Sequence, residues 1–205
     1  MSARFNNGIV AAVTAGIVRN VSVMVYGSAV EVEKICARDI ALGVHLELPS
    51  GATVEDVEAQ VQHFHTLFDR LPDYLDGHQH CHITPENIAS VIAVAQAHHL
   101  PVRSRYAEDR SVLRRHAIAT PDHFISWHPT RTQKLMHQLA ENTCAVTELV
   151  THPGYYDAQC SYPYNQQREE ELVFITDDVF RTLIRDNYQL VRYDYLHNQK
   201  KESMG

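Results

Sequence analysis

The sequence contains few cysteines and no pair spaced to hold a metal ion. Its four cysteines are scattered, and no two of them form a Cys-x-x-Cys pair: Cys36, Cys81, Cys144 and Cys160. This spacing argues against a structural zinc knuckle and against a disulfide framework. We therefore expect the cysteines to be small, buried apolar side chains.

The chain also lacks an excess of positive charge and a long apolar run. The formal net charge is −7, which argues against a nucleic-acid partner held by phosphate contacts. No apolar stretch is long enough to span a bilayer, and no signal segment is recognisable at the start. We therefore expect no nucleic-acid partner, no membrane partner and a cytoplasmic protein.

Helical and strand patterns alternate along the 205 residues. Helices are predicted for the opening segment up to Gly16, for residues 29–38, for SGATVEDVEAQVQHFHTLFDRL, for PENIASVIAVAQAHHL, after HFISWHP and for about residues 176–187. Strands are predicted around VSVMV and in IALGVHLEL, LPDYLDGHQHCH, PVRSRY, AVTELVTHPG and YQLVRYDYL. This alternation favours an α/β fold, a mostly parallel sheet with outer helices, in a single domain.

The stretch DGHQHCH is the most unusual feature among the 14 histidines. In an extended strand alternate residues project from one face, so the stretch predicts a shared surface for Asp76, His78, His80 and His82. Imidazole is a common metal ligand, and a nearby carboxylate can fix its tautomer. The absence of His-Glu-x-x-His excludes a zincin.

A site with two histidines needs at least one further ligand. His45, in another predicted strand, is the expected partner of His78. Glu47 lies two residues further on and is either a carboxylate ligand or a solvated residue at the strand edge. In parallel folds functional residues lie at the carboxyl ends of strands, where His45, His78 and His152 are all predicted.

His152 belongs to the segment ELVTHPGYYD, in which Pro153 and Gly154 end the strand sharply. The imidazole either acts as a general acid, which we favour, or holds the turn. The following loop is rich in tyrosines that stack on a sugar, pack on the sheet or form a subunit contact: Tyr155, Tyr156, Tyr162 and Tyr164. We expect the histidines on helices and other loops to be structural.

Six segments in this order resemble the YdjC-like carbohydrate deacetylase family: GIV with VSVMVYG, GVHLEL, LPDYLDGHQHCHITP, LPVRSRY, ELVTHPGYYD and YNQQREEEL. The resemblance implies a (β/α)-barrel-like fold and a metal-dependent hydrolase that removes acetyl groups from N-acetylated sugars, such as chito-oligosaccharides. It implies metal ligation by His45 and His78 and a catalytic role for His152. Asp76 matches the accompanying strand carboxylate, and Arg103 falls where the family often has a basic residue near the pocket.

One family motif has no counterpart here. Family members begin with a strand that ends in Asp-Asp-Phe-Gly, which supplies a metal-binding carboxylate and a general base, whereas this chain starts where that motif should have ended. We expect the first strand to be missing from a single domain over residues 1–205, and we favour an incomplete start. The alternative is a shortened relative that binds metal or sugar with impaired catalysis, in which Asp76 or Glu47 replaces the base.

The resemblance favours Mg²⁺ as the cofactor, whereas the softness of two imidazole ligands suits Zn²⁺. The expected partner is an acetylated sugar or oligosaccharide, with Arg103 and Tyr155 as its contacts and Asp76 and His152 as catalytic groups. A homodimer is the commonest assembly for a soluble enzyme of this size.

Overall fold

The computed structural model describes residues 2–27 and 39–197. The helix predicted for residues 29–38 lies outside these ranges. The described residues form seven α-helices: α1 Ala3–Thr14, α2 Val54–Phe68, α3 Ile88–Ala97, α4 Ala107–Arg115, α5 Thr132–Ala140, α6 Asn165–Thr176 and α7 Asp178–Asn187. They also form five strands: β1 Asn20–Val23, β2 Ala41–Leu46, β3 Tyr74–Gly77, β4 His123–Ser126 and β5 Thr147–Val150. Two 3-10 helices cover His78–Ile83 and Pro129–Arg131.

All the strand pairs that the structure describes are parallel. One sheet has the order β1-β2-β3, and β4 pairs with β5 in a second sheet. The predicted parallel arrangement with covering helices is therefore confirmed, but the described strands do not close into a barrel. Between the two sheets, the predicted strand PVRSRY makes only a single bridge, from Val102 to Leu75. Pro101 lacks an N–H group and so cannot extend that ladder as a donor.

The two faces of the first sheet differ. The face that packs against helices such as α2 is apolar, and its side chains, such as Val44 and Leu75, are completely buried in the main apolar core. The opposite face, called the inner face below, carries polar side chains. In the register of the sheet, Ser22 lies beside Gly43, which lies beside Tyr74, and His45 lies beside Asp76. Because residues two apart share a face, these polar side chains occupy the inner surface together.

Helix α2 illustrates why the outer layer forms. Thr53 and Asp56 make a reciprocal capping box at its start, which satisfies backbone N–H groups that have no partner inside the helix. One face carries Val57, Val61 and Phe64, which are completely buried in the main core. Each such side chain contributes about 1.5–3 kcal/mol of apolar burial.

A second apolar core lies beside β4 and β5. It contains side chains from α1, α5, α6 and α7: Ala12, Leu135, Leu139, Leu172, Ile175, Phe180 and Ile184, together with Ile125 and Trp127. Helix α1 is capped by the Ser2 side chain and is followed by Gly16, whose φ of 78° is the left-handed conformation expected there. None of the helices described in the structure is long and apolar enough to cross a membrane.

Several expectations about the chain are wrong. Residues 188–197 contain no strand; instead, the Asn20 side chain bonds the carbonyl of Val191 and the N–H of Tyr193 and so replaces a ladder. Helices α4 and α6 were not predicted. The three cysteines in the described ranges are not buried: Cys81 and Cys160 are half-buried and Cys144 is exposed. Cys36 lies outside those ranges.

Candidate active site

Three histidines lie at the carboxyl ends of parallel strands, as the sequence predicted. His45 is near the end of β2, His78 follows β3 directly, and His152 lies two residues after β5. The rings of His45 and His78 are 5.7 Å apart between centroids, with their planes at 79°. The two imidazoles predicted to converge are therefore neighbours.

The prediction that DGHQHCH forms a strand is wrong. Strand β3 ends at Gly77 and the chain turns into a 3-10 helix, in which Gln79 and His80 have φ values of 49° and 63°. The alternate side chains therefore do not share a face. Gly77 permits this turn because a Cβ there would lie only 2.8 Å from Nδ1 of His82.

Buried polar contacts hold this turn in place. His82 is completely buried, and its Nε2 bonds the carbonyl oxygen of Arg103 at 3.1 Å. The amide of Asn87 donates to the carbonyl oxygens of Cys81 and Pro49 at 2.9 Å each. Burial lowers the pKa of His82 to about 3, so the imidazole is neutral and its contacts are those of a structural residue.

His80 is partly buried beside Phe124, at 5.3 Å between ring centroids in an edge-on arrangement. Desolvation, followed by the charge of Arg105, lowers the pKa of His80 to about 4. His80 thus contacts Phe124 and His82 contacts Arg103, whereas His78 is the member of the stretch whose ring lies next to that of His45.

Asp76 orients His45. The side chain of Asp76 has no exposed surface, and its Oδ1 lies 2.8 Å from Nδ1 of His45. Burial by itself raises the pKa of Asp76, but the charge of Arg103 and the hydrogen bond with His45 hold it well below its usual range. An ionised carboxylate only accepts hydrogen bonds, so Nδ1–H of His45 donates and Nε2 keeps its lone pair for a ligand.

Arg103 is buried, with 8% of its surface exposed. Its Nη1 lies 2.5 Å from Oδ2 of Asp76. Its Nε and Nη2 donate to Oε1 of Glu148 at 2.9 and 2.6 Å. The sugar contact predicted for Arg103 stays a prediction, and the contacts described for its guanidinium are with these two carboxylates. Glu148 was missed, although a charged residue inside the short strand TELV is itself a signal.

His152 is linked to a second carboxylate. Its backbone N–H donates to Oε2 of Glu171, and its Nδ1 lies 3.9 Å from the same oxygen. Desolvation and the charge of Arg168 lower the pKa of His152 to about 4, although 55% of the side chain is exposed. Burial raises the pKa of Glu171 to about 7. Sequence reasoning missed Glu171 because it is the last of three consecutive glutamates in a helix.

The tyrosine loop is partly open to solvent. The exposed fractions are 37% for Tyr155, 43% for Tyr156, 38% for Tyr162 and 51% for Tyr164. The backbone N–H of Tyr155 donates to the carbonyl of Arg4, so this loop is attached to α1. Sugar binding by Tyr155 and a subunit contact by the loop both stay predictions.

Two imidazoles fit a divalent ion, but the described residues do not complete its coordination. In residues 2–27 and 39–197, no three His, Cys, Asp or Glu side chains are grouped closely enough to hold an ion. Glu47, the candidate carboxylate, has an exposed position after β2. Asp76 is engaged behind His45 and forms no such group.

The candidate site therefore lies in an α/β fold, and its histidines lie at the carboxyl edge of the parallel strands. The model of the YdjC-like protein family matches residues 52–186, and the chain belongs to this family. It is 24% identical to a carbohydrate deacetylase of Vibrio parahaemolyticus, with 86% of this chain and 84% of that protein covered. It is 28% identical to a chitooligosaccharide deacetylase of Proteus mirabilis, with 73% of this chain and 63% of that protein covered.

A crystal structure supports the fold. A protein of Enterococcus faecalis V583, described as a candidate cellobiose-phosphate cleavage protein, superposes with a TM-score of 0.80 and 22% identity. The superposition covers 95% of this chain and 94% of that one. At 22% identity, this similarity supports the fold alone.

Proposed function

We propose that this protein is a carbohydrate deacetylase that hydrolyses the N-acetyl group of an amino sugar or its oligosaccharide. The observation that carries the proposal is the pairing of His45 with buried Asp76, with the ring of His78 5.7 Å from that of His45. This arrangement lies at the strand edge where such folds bind ligands. Relatives named carbohydrate and chitooligosaccharide deacetylases support the substrate class.

The proposed cofactor is a divalent ion held by His45 and His78. Family resemblance favours Mg²⁺ and imidazole ligation suits Zn²⁺. Such an ion lowers the pKa of water and polarises a carbonyl. The remaining positions are available to water and to substrate.

His152 must accept a proton before it can act as a general acid. With a pKa lowered to about 4, its imidazole is neutral at pH 7 in the free protein. A neutral imidazole can take the proton of the attacking water and then pass it to the leaving sugar nitrogen. In this proposal His152 serves first as base and then as acid.

The proposal is tested with His78→Ala, and His65→Ala is the matched control because His65 lies exposed on α2. Bound Zn²⁺ and Mg²⁺ and acetate release from N-acetylated chito-oligosaccharides are measured on the same samples. We expect His78→Ala to lose most ion binding and acetate release, since a ligand is removed, whereas His65→Ala keeps both. Wild-type levels of both in His78→Ala would refute the assignment.

A second candidate function follows from the incomplete set of ligands. A chain with two imidazoles and no third ligand among its described residues can bind an ion or a sugar without turnover. Ion binding that depends on His78, without acetate release from any N-acetylated sugar, would favour this binding function over the enzyme.

A further inference from the structure

Behind His45 lies a closed ring of buried contacts that sequence reasoning did not anticipate. The carboxylate of Asp76 contacts Arg103 at 2.5 Å, and Arg103 contacts Glu148 at 2.6 Å. The hydroxyl of Tyr193, from the segment after α7, donates to Oε2 of Glu148 at 2.7 Å. This chain of contacts connects the end of the described sequence to the candidate ion site.

The ring closes on the other side through two aromatic residues and a serine. The ring of Tyr193 stacks on that of Tyr74, with 3.9 Å between centroids and 9° between planes. The Tyr74 hydroxyl lies 2.9 Å from Oγ of Ser22, which donates to Asp76 at 2.5 Å. Asp76 is therefore held from two directions, and Tyr193 takes part in both.

We propose that Glu148 and Tyr193 are positioning residues that fix Arg103, and through Arg103 the Asp76–His45 pair, and so determine how tightly the candidate site binds its divalent ion. The proposal rests on the proposed function. It makes the segment of residues 188–197 part of the apparatus that tunes the site, although no residue of that segment touches His45 in the contacts described.

The charges in the ring support this role. Two carboxylates, Asp76 and Glu148, surround one guanidinium, so the group carries one excess negative charge when both are ionised. The side chains of Asp76, Arg103 and Glu148 are 0%, 9% and 10% exposed, so solvent screens that charge weakly. An excess negative charge next to Nδ1 of the His45 imidazole favours a cation at Nε2, on the opposite side of that imidazole.

The hydrogen bonds of Arg103 explain why Glu148 matters to Asp76. Glu148 Oε1 accepts from Nε and Nη2, which leaves Nη1 for Asp76. Without the charge of Glu148, Asp76 would be the sole counter-charge of the guanidinium. Arg103 would then compete more strongly with His45 for the same carboxylate, and the imidazole would become a weaker ligand.

Stability alone does not account for the arrangement. A buried ion pair is often no more stabilising than apolar side chains of the same volume. The network instead contacts the imidazole of His45 through Asp76, and among the described residues no hydrogen bond engages Nε2 of His45. This is the geometry of a tuned metal ligand.

The test compares Tyr193→Phe with Tyr188→Phe. Tyr188 lies at the end of α7, and its hydroxyl donates to the carbonyl of Leu139 at 2.6 Å, away from the ring. Each variant loses one phenolic hydrogen bond, and each loss costs about 1 kcal/mol of stability. Zn²⁺ and Mg²⁺ affinity is measured by calorimetry, unfolding by denaturant, and kcat and KM for acetate release separately.

We expect Tyr193→Phe to weaken ion affinity by up to about 10-fold, below the ~10–100-fold typical of direct partners of a ligand. Its kcat should fall with KM nearly constant. Tyr188→Phe should lose similar stability with wild-type ion affinity and kcat. Equal ion affinities for the two variants would overturn the proposal.

Glu148→Gln and Glu148→Asp provide a second comparison. Glu148→Gln keeps the size of the side chain and removes its charge, so ion affinity should fall about 10-fold. Glu148→Asp retains the charge and should recover part of that affinity. Recovery of stability without recovery of ion affinity would assign Glu148 a structural role alone.

The proposed function and this inference fail in different ways. A wild-type protein that binds neither ion overturns both. In another outcome, His78→Ala abolishes ion binding and the Tyr193 and Glu148 variants keep it. This outcome overturns only the role of the ring of contacts.

Discussion

Asp76 accepts contacts from three groups while its side chain has no access to solvent. His45, Ser22 and Arg103 all approach its two oxygens within 2.8 Å. A buried carboxylate is costly unless it is paired and hydrogen-bonded. Asp76 meets both conditions, and its charge is therefore fixed at the position that orients His45.

Replacing this carboxylate with an amide tests the point. Asp76→Asn keeps the shape but leaves Arg103 short of a counter-charge and His45 facing a weaker acceptor. We expect a loss of about 3–5 kcal/mol in unfolding free energy and of about 10–100-fold in ion affinity. Denaturant unfolding and calorimetry with Zn²⁺ measure the two effects.

The control for this prediction is Asp178→Asn. Asp178 pairs with Arg181 at the surface, where 93% of its side chain is exposed, and exposed pairs contribute about 0–1 kcal/mol. Similar losses of stability in the two variants would contradict the role given to burial at Asp76.

At this scale the sequence predicted the histidines and Asp76, but it missed two further carboxylates, Glu148 and Glu171. His45, His78 and His152 could be predicted because each lies at the end of a local strand pattern. The contacts of Glu148 and Glu171 could not be predicted, because each joins distant positions: Glu148 bonds Arg103, 45 positions away, and Glu171 bonds His152, 19 positions away. No local pattern encodes such a pair.

At the scale of elements, the largest error concerned the chain after β3. Alternation in DGHQHCH fits a strand, yet the backbone turns at Gly77, and Gln79 and His80 adopt left-handed conformations. Polar alternation lacks the apolar face that fixes a strand against a core. Gly77 was the available signal, since a glycine within a strand pattern often marks a close approach of the backbone.

Helix α1 and the loop that carries His152 contact each other through two glycines. A Cβ on Gly8 would lie 2.4 Å from Cα of Gly154 and 2.7 Å from the backbone nitrogen of Tyr155. Since Tyr155 also donates to the Arg4 carbonyl, the position of this loop depends directly on α1.

The variant Gly8→Ala tests this contact and contains its own control. In a helix interior, glycine to alanine normally stabilises by about 0.5–1 kcal/mol. Here the methyl group would push the loop away, and we expect a loss of about 1–3 kcal/mol with a raised KM for the acetylated sugar. A gain of stability in denaturant unfolding would show that the loop adapts freely.

At the scale of the whole molecule, the alternation of helix and strand patterns correctly predicted parallel strands with outer helices. It did not predict the structure of residues 188–197, because the apolar and aromatic alternation in YQLVRYDYL also fits a strand. Tyr193 is instead placed by stacking on Tyr74 and by bonds to Asn20 and Glu148. The polar inner surface explains the error, since these contacts replace a backbone ladder.

Buried His82 makes one contribution to how the stability of the protein depends on pH. His82 is neutral in the folded state with a pKa lowered to about 3, whereas in the unfolded chain its ordinary pKa is about 6.5. Between these values the unfolded state binds more protons than the folded state. The contribution of His82 to the free energy of unfolding is therefore present above about pH 6.5 and is lost as the pH falls. Partly buried His80, with a pKa lowered to about 4, acts in the same direction.

The variant His82→Gln removes one titrating group while keeping a donor for the Arg103 carbonyl. In metal-free protein, its unfolding free energy should fall less steeply than that of the wild type between about pH 6 and pH 4, by up to ~1.4 kcal/mol per pH unit for one proton. The slope is the readout, because a uniform loss of stability leaves it unchanged. His65→Gln, at an exposed position, should keep the wild-type slope. A wild-type slope in His82→Gln would mean that other groups account for the acid sensitivity of the fold.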